Sequence, residues 1–98
     1  MSKPDVTIDE ARSRFELEDE GHVAFIDFTR REDTITLVHT EVPKELEGRG
    51  VGSALVRGAL TYIKDNHLKV VPQCPFVASY LKRHPDDATA LGLDPAKL

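Results

Sequence analysis

The sequence predicts an α+β fold: one mixed sheet carrying two helices in the order βββαβα. Three observations lead there. Residues 13–42 carry apolar side chains at β period, residues 50–66 switch to helical period, and a short apolar stretch, Leu68 to Val71, follows the helix and stops at Pro72. A strand that returns after a helix runs parallel to its predecessor by a right-handed crossover. The expected path is therefore an antiparallel meander followed by β-α-β-α.

Each element has a local cause. Residues 1–11 are polar and carry Pro4, which suits a loose arm or a short edge strand. Phe15 and Leu17 alternate with Arg14, Glu16 and Glu18, the pattern of a half-buried strand. Asp19-Glu20-Gly21 then turns the chain. His22 to Arg30 is apolar on both faces, with Val23 and Phe25 opposing Ala24, Ile26 and Phe28, so it is expected at the sheet centre. After Arg30-Arg31-Glu32-Asp33, residues 34–42 are rich in β-branched side chains and form the third strand of the meander. Strict alternation puts Ile35, Leu37, His39 and Glu41 on one face and Thr36, Val38, Thr40 and Val42 on the other. Pro43 ends this strand. Val51, Leu55, Ala59, Tyr62 and Ile63 then recur at helical spacing, with Ser53, Arg57, Thr61 and Lys64 opposite. Asn66 is the expected left-handed cap. Pro75 opens a second helix carrying Phe76, Val77, Tyr80 and Leu81, which ends at His84-Pro85. The tail from Asp86 to Leu98 is weakly patterned, either one short helix or a frayed end.

Composition narrows the function. The 98 residues are 40% hydrophobic and 31% charged, an ordinary globular balance that fits one domain over residues 1–98 with flexible ends at 1–11 and 87–98. A net charge of −4 lacks the basic field that non-specific nucleic-acid binding needs. The single cysteine excludes an intramolecular disulfide and a multi-cysteine zinc site, and no histidines stand at ligand spacing, so no metal is expected. No apolar run approaches the ~20 residues that span a bilayer. Met1 to Asp5 lacks the charged-then-apolar order of a signal peptide, so a cytoplasmic protein without membrane partners is the expectation. Oligomeric state is left open by the pattern.

The motif that stands out is Gly48-Arg49-Gly50-Val51-Gly52-Ser53, between a strand and the long helix. Orphan amides and the positive end of a helix favour a phosphate or pyrophosphate there, with Ser53 and Arg49 as further donors. The alternative is a glycine-rich turn that merely caps the helix. Three glycines in five residues cost backbone entropy without building core, which favours the phosphate. The spacing is neither a dinucleotide fingerprint nor a P-loop. Cys74 lies just past a parallel strand and before Pro75, at a helix cap whose positive end favours a negatively charged sulfur; its alternative is a small buried apolar residue. His39 and Glu41 share a strand face near the loop, either as a base pair for an amine or as a core histidine beside a rim carboxylate. Tyr80 offers a phenolic proton donor, or simply amphipathic packing.

These residues together resemble a family. Val38-His39-Thr40-Glu41-Val42, then Leu46-x-Gly48-x-Gly50-x-Gly52-Ser53 and a helix, is similar to the acetyl-CoA-binding core of GNAT-type N-acetyltransferases. Val70-Val71-Pro72-x-Cys74-Pro75-Phe76-Val77-x-x-Tyr80 and Arg83-His84-Pro85 narrow the resemblance to short, single-domain GNAT-like proteins, over about residues 35–85. The family's Arg/Gln-x-x-Gly-x-Gly/Ala phosphate loop falls on Glu47 to Gly52, with Glu47 where Arg or Gln is usual, so either Glu47 points to solvent or Arg49 supplies the missing charge.

The resemblance implies coenzyme A bound by Thr40, Val42, Gly48, Arg49, Gly50, Val51, Gly52 and Ser53, with the pantetheine arm along residues 40–42. It implies acetyl transfer from acetyl-CoA to a small amine, a lysine or an N-terminal amine. Glu41 or His39 would serve as base and Tyr80 or Cys74 as acid, with an acyl-Cys74 intermediate as the covalent alternative. The rival class is a non-catalytic CoA- or acyl-CoA-binding module of the same fold; a thiol redox protein centred on Cys74 lacks a second thiol.

Overall fold

The protein is described by a computed structural model covering residues 6–98. Strands β1 (Val6–Asp9), β2 (Arg14–Asp19), β3 (His22–Arg31) and β4 (Thr34–Glu41) form an antiparallel meander, and β5 (Lys69–Pro72) joins β4 in parallel. The order in the five-stranded sheet is β1-β2-β3-β4-β5. Helix α1 (Val51–Asp65) makes the crossover, and α2 (Pro75–Arg83) and α3 (Pro85–Ala90) follow. The α+β class and the mixed sheet match the sequence expectation. Of the expected N-terminal arm, residues 6–9 are the edge strand, and residues 1–5 lie outside the described residues.

The core lies between the helices and one face of the sheet. Phe15, Leu17, Ala24, Ile26, Phe28, Ile35 and Leu37 point into it from the meander, and Leu55, Val56, Ala59 and Ile63 meet them from α1. Register explains this shared face: Phe15 pairs with Ile26, Leu17 with Ala24 and Phe28 with Leu37, and directly opposed residues point the same way. β3 is central as expected, yet its second apolar face has no helix over it. Val23 is 40% exposed, and Phe25 is covered instead by Arg14, whose guanidinium carbon lies 3.9 Å from the ring centroid.

Two details depart from expectation. The β2–β3 turn places both Glu20 (φ 50°) and Gly21 (φ 80°) in left-handed conformation, the two-residue hairpin whose twist suits antiparallel strands. At the end of α1 the left-handed residue is His67 (φ 55°), not Asn66, which sits at φ −98° and donates from its side chain to the Tyr62 carbonyl at 2.8 Å. Leu68 N–H closes that end on the Ile63 carbonyl at 3.0 Å, the wrap of a Schellman cap. Of the two forms expected for the C-terminal tail the structure shows the short helix, α3, and Leu91, Leu93 and Leu98 pack on the core. Among the described residues, no helix is long and apolar enough to cross a membrane.

Candidate active site

β4 is where the fold opens. Its parallel pairing with β5 runs from Thr34↔Lys69 to Leu37↔Pro72 and stops. Pro72 has no N–H to extend a ladder, and the chain bends so that Cys74 N–H donates to the Leu37 carbonyl at 2.8 Å. Beyond that point β4 still pairs with β3 through Glu41, so among the described residues no strand lies beside its other edge over residues 39–41.

A bulge sits at the same place. The β3–β4 register runs Phe25↔Glu41, Ile26↔Thr40, Asp27↔His39 and then steps to Phe28↔Leu37, leaving Val38 as an extra residue on β4. One extra residue inverts side-chain parity. His39 and Glu41 therefore share a face, but not with Ile35 and Leu37 as strict alternation predicts. They lie on the open face, 60% and 62% exposed, with Nε2 and Oε2 3.8 Å apart. The alternative of a core histidine is thereby removed. Thr40 takes the inward position instead, opposite Ile26, with its Oγ1 3.2 Å from Cys74 Sγ.

Cys74 is the cap of α2, with Pro75 as first helical residue. It is 3% exposed, so its sulfur meets the site from within the core, at the head of the β4–β5 split. Tyr80, expected as a proton donor, is buried and engaged elsewhere. Val77, Tyr80 and Leu81 form the buried stripe of α2, and the Tyr80 hydroxyl donates to Asp87 Oδ2 at 3.4 Å while its ring packs on His84 at 4.2 Å. Helical spacing correctly marks Tyr80 as a packing position, and its hydroxyl is occupied by Asp87.

The glycine loop closes the other end. Gly48 (φ 79°) and Gly50 (φ 74°) are left-handed, and a Cβ on either would meet nothing within 4 Å. Gly50 is the cap residue of α1 and offers no side-chain acceptor. The first intrahelical amide is that of Ala54, which donates to Gly50 O at 3.0 Å. Among the described residues, the amides of 48–53 donate to no protein acceptor. They border a cleft of about 330 Å³ lined by Val42, Leu46, Glu47, Ser53, Phe76 and Arg83, together with the loop glycines. Phe76 packs so close that a Cβ on Gly52 would lie 2.6 Å from its Cζ.

The loop's charges are not where sequence reasoning put them. Arg49 does not line the cleft; its guanidinium is bound to Glu20 and lies near Asp19. Glu47 does line it, and the cation there is Arg83. The sequence reads Lys82-Arg83 as a solvated helix face that could meet phosphate, and of the two Arg83 lines the cleft. The signal that finds it is its seven-residue offset from Phe76, two helical turns along one face of α2.

The helix-tip amides thus open on a cleft that Val42 borders just past the end of β4. A family model described as GCN5-related N-acetyl-transferase matches residues 14–90, and the chain belongs to that family. The five-stranded sheet with its three helices is that family's fold. Protein NATD1 of Xenopus tropicalis is 35% identical over 52 residues, 53% of this chain and 48% of that one. Protein NATD1 of Homo sapiens is 35% identical over 51 residues, 52% of this chain and 45% of that one. In these alignments the chain spans about half the length of the curated relatives it matches. The solution structure of a GCN5-like protein from Staphylococcus aureus superposes with a TM-score of 0.65 at 28% identity, covering 89% of this chain and 86% of that one.

Proposed function

We propose that this protein transfers an acetyl group from acetyl-CoA to an amine. The observation that carries the proposal is the run of partnerless amides at residues 48–53, opening on the same cleft as Val42 at the end of β4. Those amides and the positive end of α1 suit the coenzyme's diphosphate, and Arg83 supplies the cation. The free edge of β4 suits the amide-bearing pantetheine arm, which pairs with backbone as another strand would.

An acetyl thioester lying along that edge reaches the split between β4 and β5, with different groups on either side. His39 and Glu41 stand on the open face, where an acceptor amine has access. Thr40 and Cys74 stand on the core face. His39, steered by Glu41, takes the proton of the attacking amine. A C–N bond forms and the C–S bond breaks. The departing coenzyme sulfur receives a proton from Cys74, which solvent restores. With Tyr80 hydrogen-bonded to Asp87, Cys74 is the donor the geometry favours. Its burial and its contact with Thr40 favour direct attack over an acyl-Cys74 intermediate.

Calorimetric titration with CoA, followed by thiol-release assays with acetyl-CoA and a panel of amines, tests the proposal. Saturable binding and amine-dependent thiol release are expected, with no acetyl adduct on Cys74 in mass spectra. Absence of binding at millimolar CoA overturns the whole reading. Binding without turnover across the panel converts it to a CoA-binding module.

A further inference from the structure

The glycine loop has an attachment that the proposed chemistry does not require. Arg49, the one residue of Gly48-Arg49-Gly50 with a side chain, reaches across to the β2–β3 hairpin. Its Nη1 and Nη2 donate to the two carboxylate oxygens of Glu20 at 2.7 and 2.9 Å, and Asp19 Oδ2 stands 3.8 Å from its Nε. Exposed ion pairs usually gain little, because two flexible side chains must be held still. A bidentate guanidinium–carboxylate pair is the exception, since both partners are planar and matched. The charge-assisted bonds from Arg49 hold the Glu20 carboxyl below its ordinary value.

The two ends of this contact differ in stiffness. Glu20 projects from a tight turn closed by two antiparallel strands, a fixed base. The loop end is held by Leu46 and Val51, both buried, while Gly48 and Gly50 between them have open space around them. A two-glycine segment without packing keeps backbone freedom, and a ligand that engages its amides must remove it.

We propose that Glu20 and Arg49 form a single strut, in which Arg49 is a positioning residue that aligns the amides of residues 48–53 and does not itself bind phosphate. The inference rests on the coenzyme A reading above. It also accounts for a cleft whose cation comes from α2 and not from the loop.

Calorimetric titration of CoA into the full chain, Glu20→Gln, Arg49→Gln and the double variant reads the coupling. A strut weakens binding about fivefold in each single variant, equivalent to ordering roughly one more backbone residue. The double variant loses no more than either single one, and the salt dependence of CoA binding is the same in all four proteins. If Glu20→Gln binds CoA as well as or better than the parent, the proposal is overturned, because freeing Arg49 then costs nothing or releases a phosphate ligand. Hydrogen exchange of the Gly48, Arg49 and Gly50 amides, measured without ligand, gives an independent readout. Both single variants are expected to speed it equally, and unchanged rates overturn the strut. A parent protein that binds no CoA removes the coenzyme reading, leaving the strut to be decided by exchange alone.

Discussion

Replacing Gly50 by alanine isolates what backbone conformation contributes at the head of α1. The residue caps the helix at φ 74° and ψ 12°, and an added Cβ meets no atom within 4 Å. Steric conflict with neighbours is therefore absent, and the whole effect is conformational. Forcing an L-residue into the left-handed region costs about 1–2 kcal/mol. Alanine returns about 0.4–1 kcal/mol by restricting the unfolded chain. The net loss is about 1 kcal/mol, which lowers the melting temperature of a domain this size by roughly 4–8 °C. Asparagine visits the left-handed region readily, so Gly50→Asn is expected to keep most of that stability. Thermal and denaturant unfolding of the three proteins reads the series. The same order, glycine then asparagine then alanine, is expected for CoA affinity, because this dihedral aims the amides that follow it. An asparagine variant as unstable as the alanine variant would refute the conformational argument, as would an alanine variant indistinguishable from the parent.

Other perturbations probe the site and its supports. Thr40→Val keeps the side-chain volume and removes the hydroxyl 3.2 Å from Cys74 Sγ; turnover should fall about tenfold, the value of one polar contact to the donor, with the calorimetric Kd for CoA unchanged. Arg83→Gln should weaken CoA binding about tenfold and flatten its salt dependence, while denaturant unfolding shifts by less than about 0.5 kcal/mol because the residue is exposed. Gly58→Ala gains about 1 kcal/mol of helix propensity but drives a Cβ into Val6, 2.6 Å from the valine Cβ. Overpacking costs about 1–3 kcal/mol, so a net loss with faster exchange in β1 is expected, and Val6→Gly, which removes the opposing Cβ, should relieve the overpacking. Acid should loosen the glycine loop late. The Glu20 carboxyl is held below its ordinary 4.5 by Arg49, so its contribution is complete above that value and is lost only as pH falls through the lowered one. Loop exchange rates, corrected for intrinsic chemistry, should be flat from pH 6 to 8 and rise below about pH 4.5.

Much of the architecture was legible because it rests on periodicity and punctuation. Val51, Leu55, Ala59 and Ile63 mark α1 at helical spacing, and Pro43, Pro72 and Pro75 end or begin elements as proline must. The position of the glycine loop follows from the same signals. What periodicity does not carry is a break in its own rule. The bulge at Val38 has no glycine or proline to announce it, so alternation assigned His39 and Glu41 to the wrong face. Side-chain reach is equally hidden. Nothing near Arg49 in sequence says that Glu20, 29 positions earlier, holds it, and that contact exists because a hairpin turn and a strand–helix loop meet at one end of the sheet. Tyr80 shows the converse: its spacing was read correctly, and its role depended on α3, a helix too short and polar to be marked by pattern.

The extra residue at Val38 divides β4 into two segments that answer to different masters. Below it, substitutions are judged by the hydrophobic interior; above it, the outward positions are free of that constraint and can change their chemistry without disturbing the packing beneath. Excising Val38 would join Leu37 directly to His39 in a regular ladder, with Leu37 still opposite Phe28 and His39 opposite Asp27, so the imidazole and carboxylate would stay outward and Thr40 inward while the local bend of the bulge is lost. Substitutions at His39 and Glu41 can therefore change the chemistry of the open face while the fold underneath stays as it is.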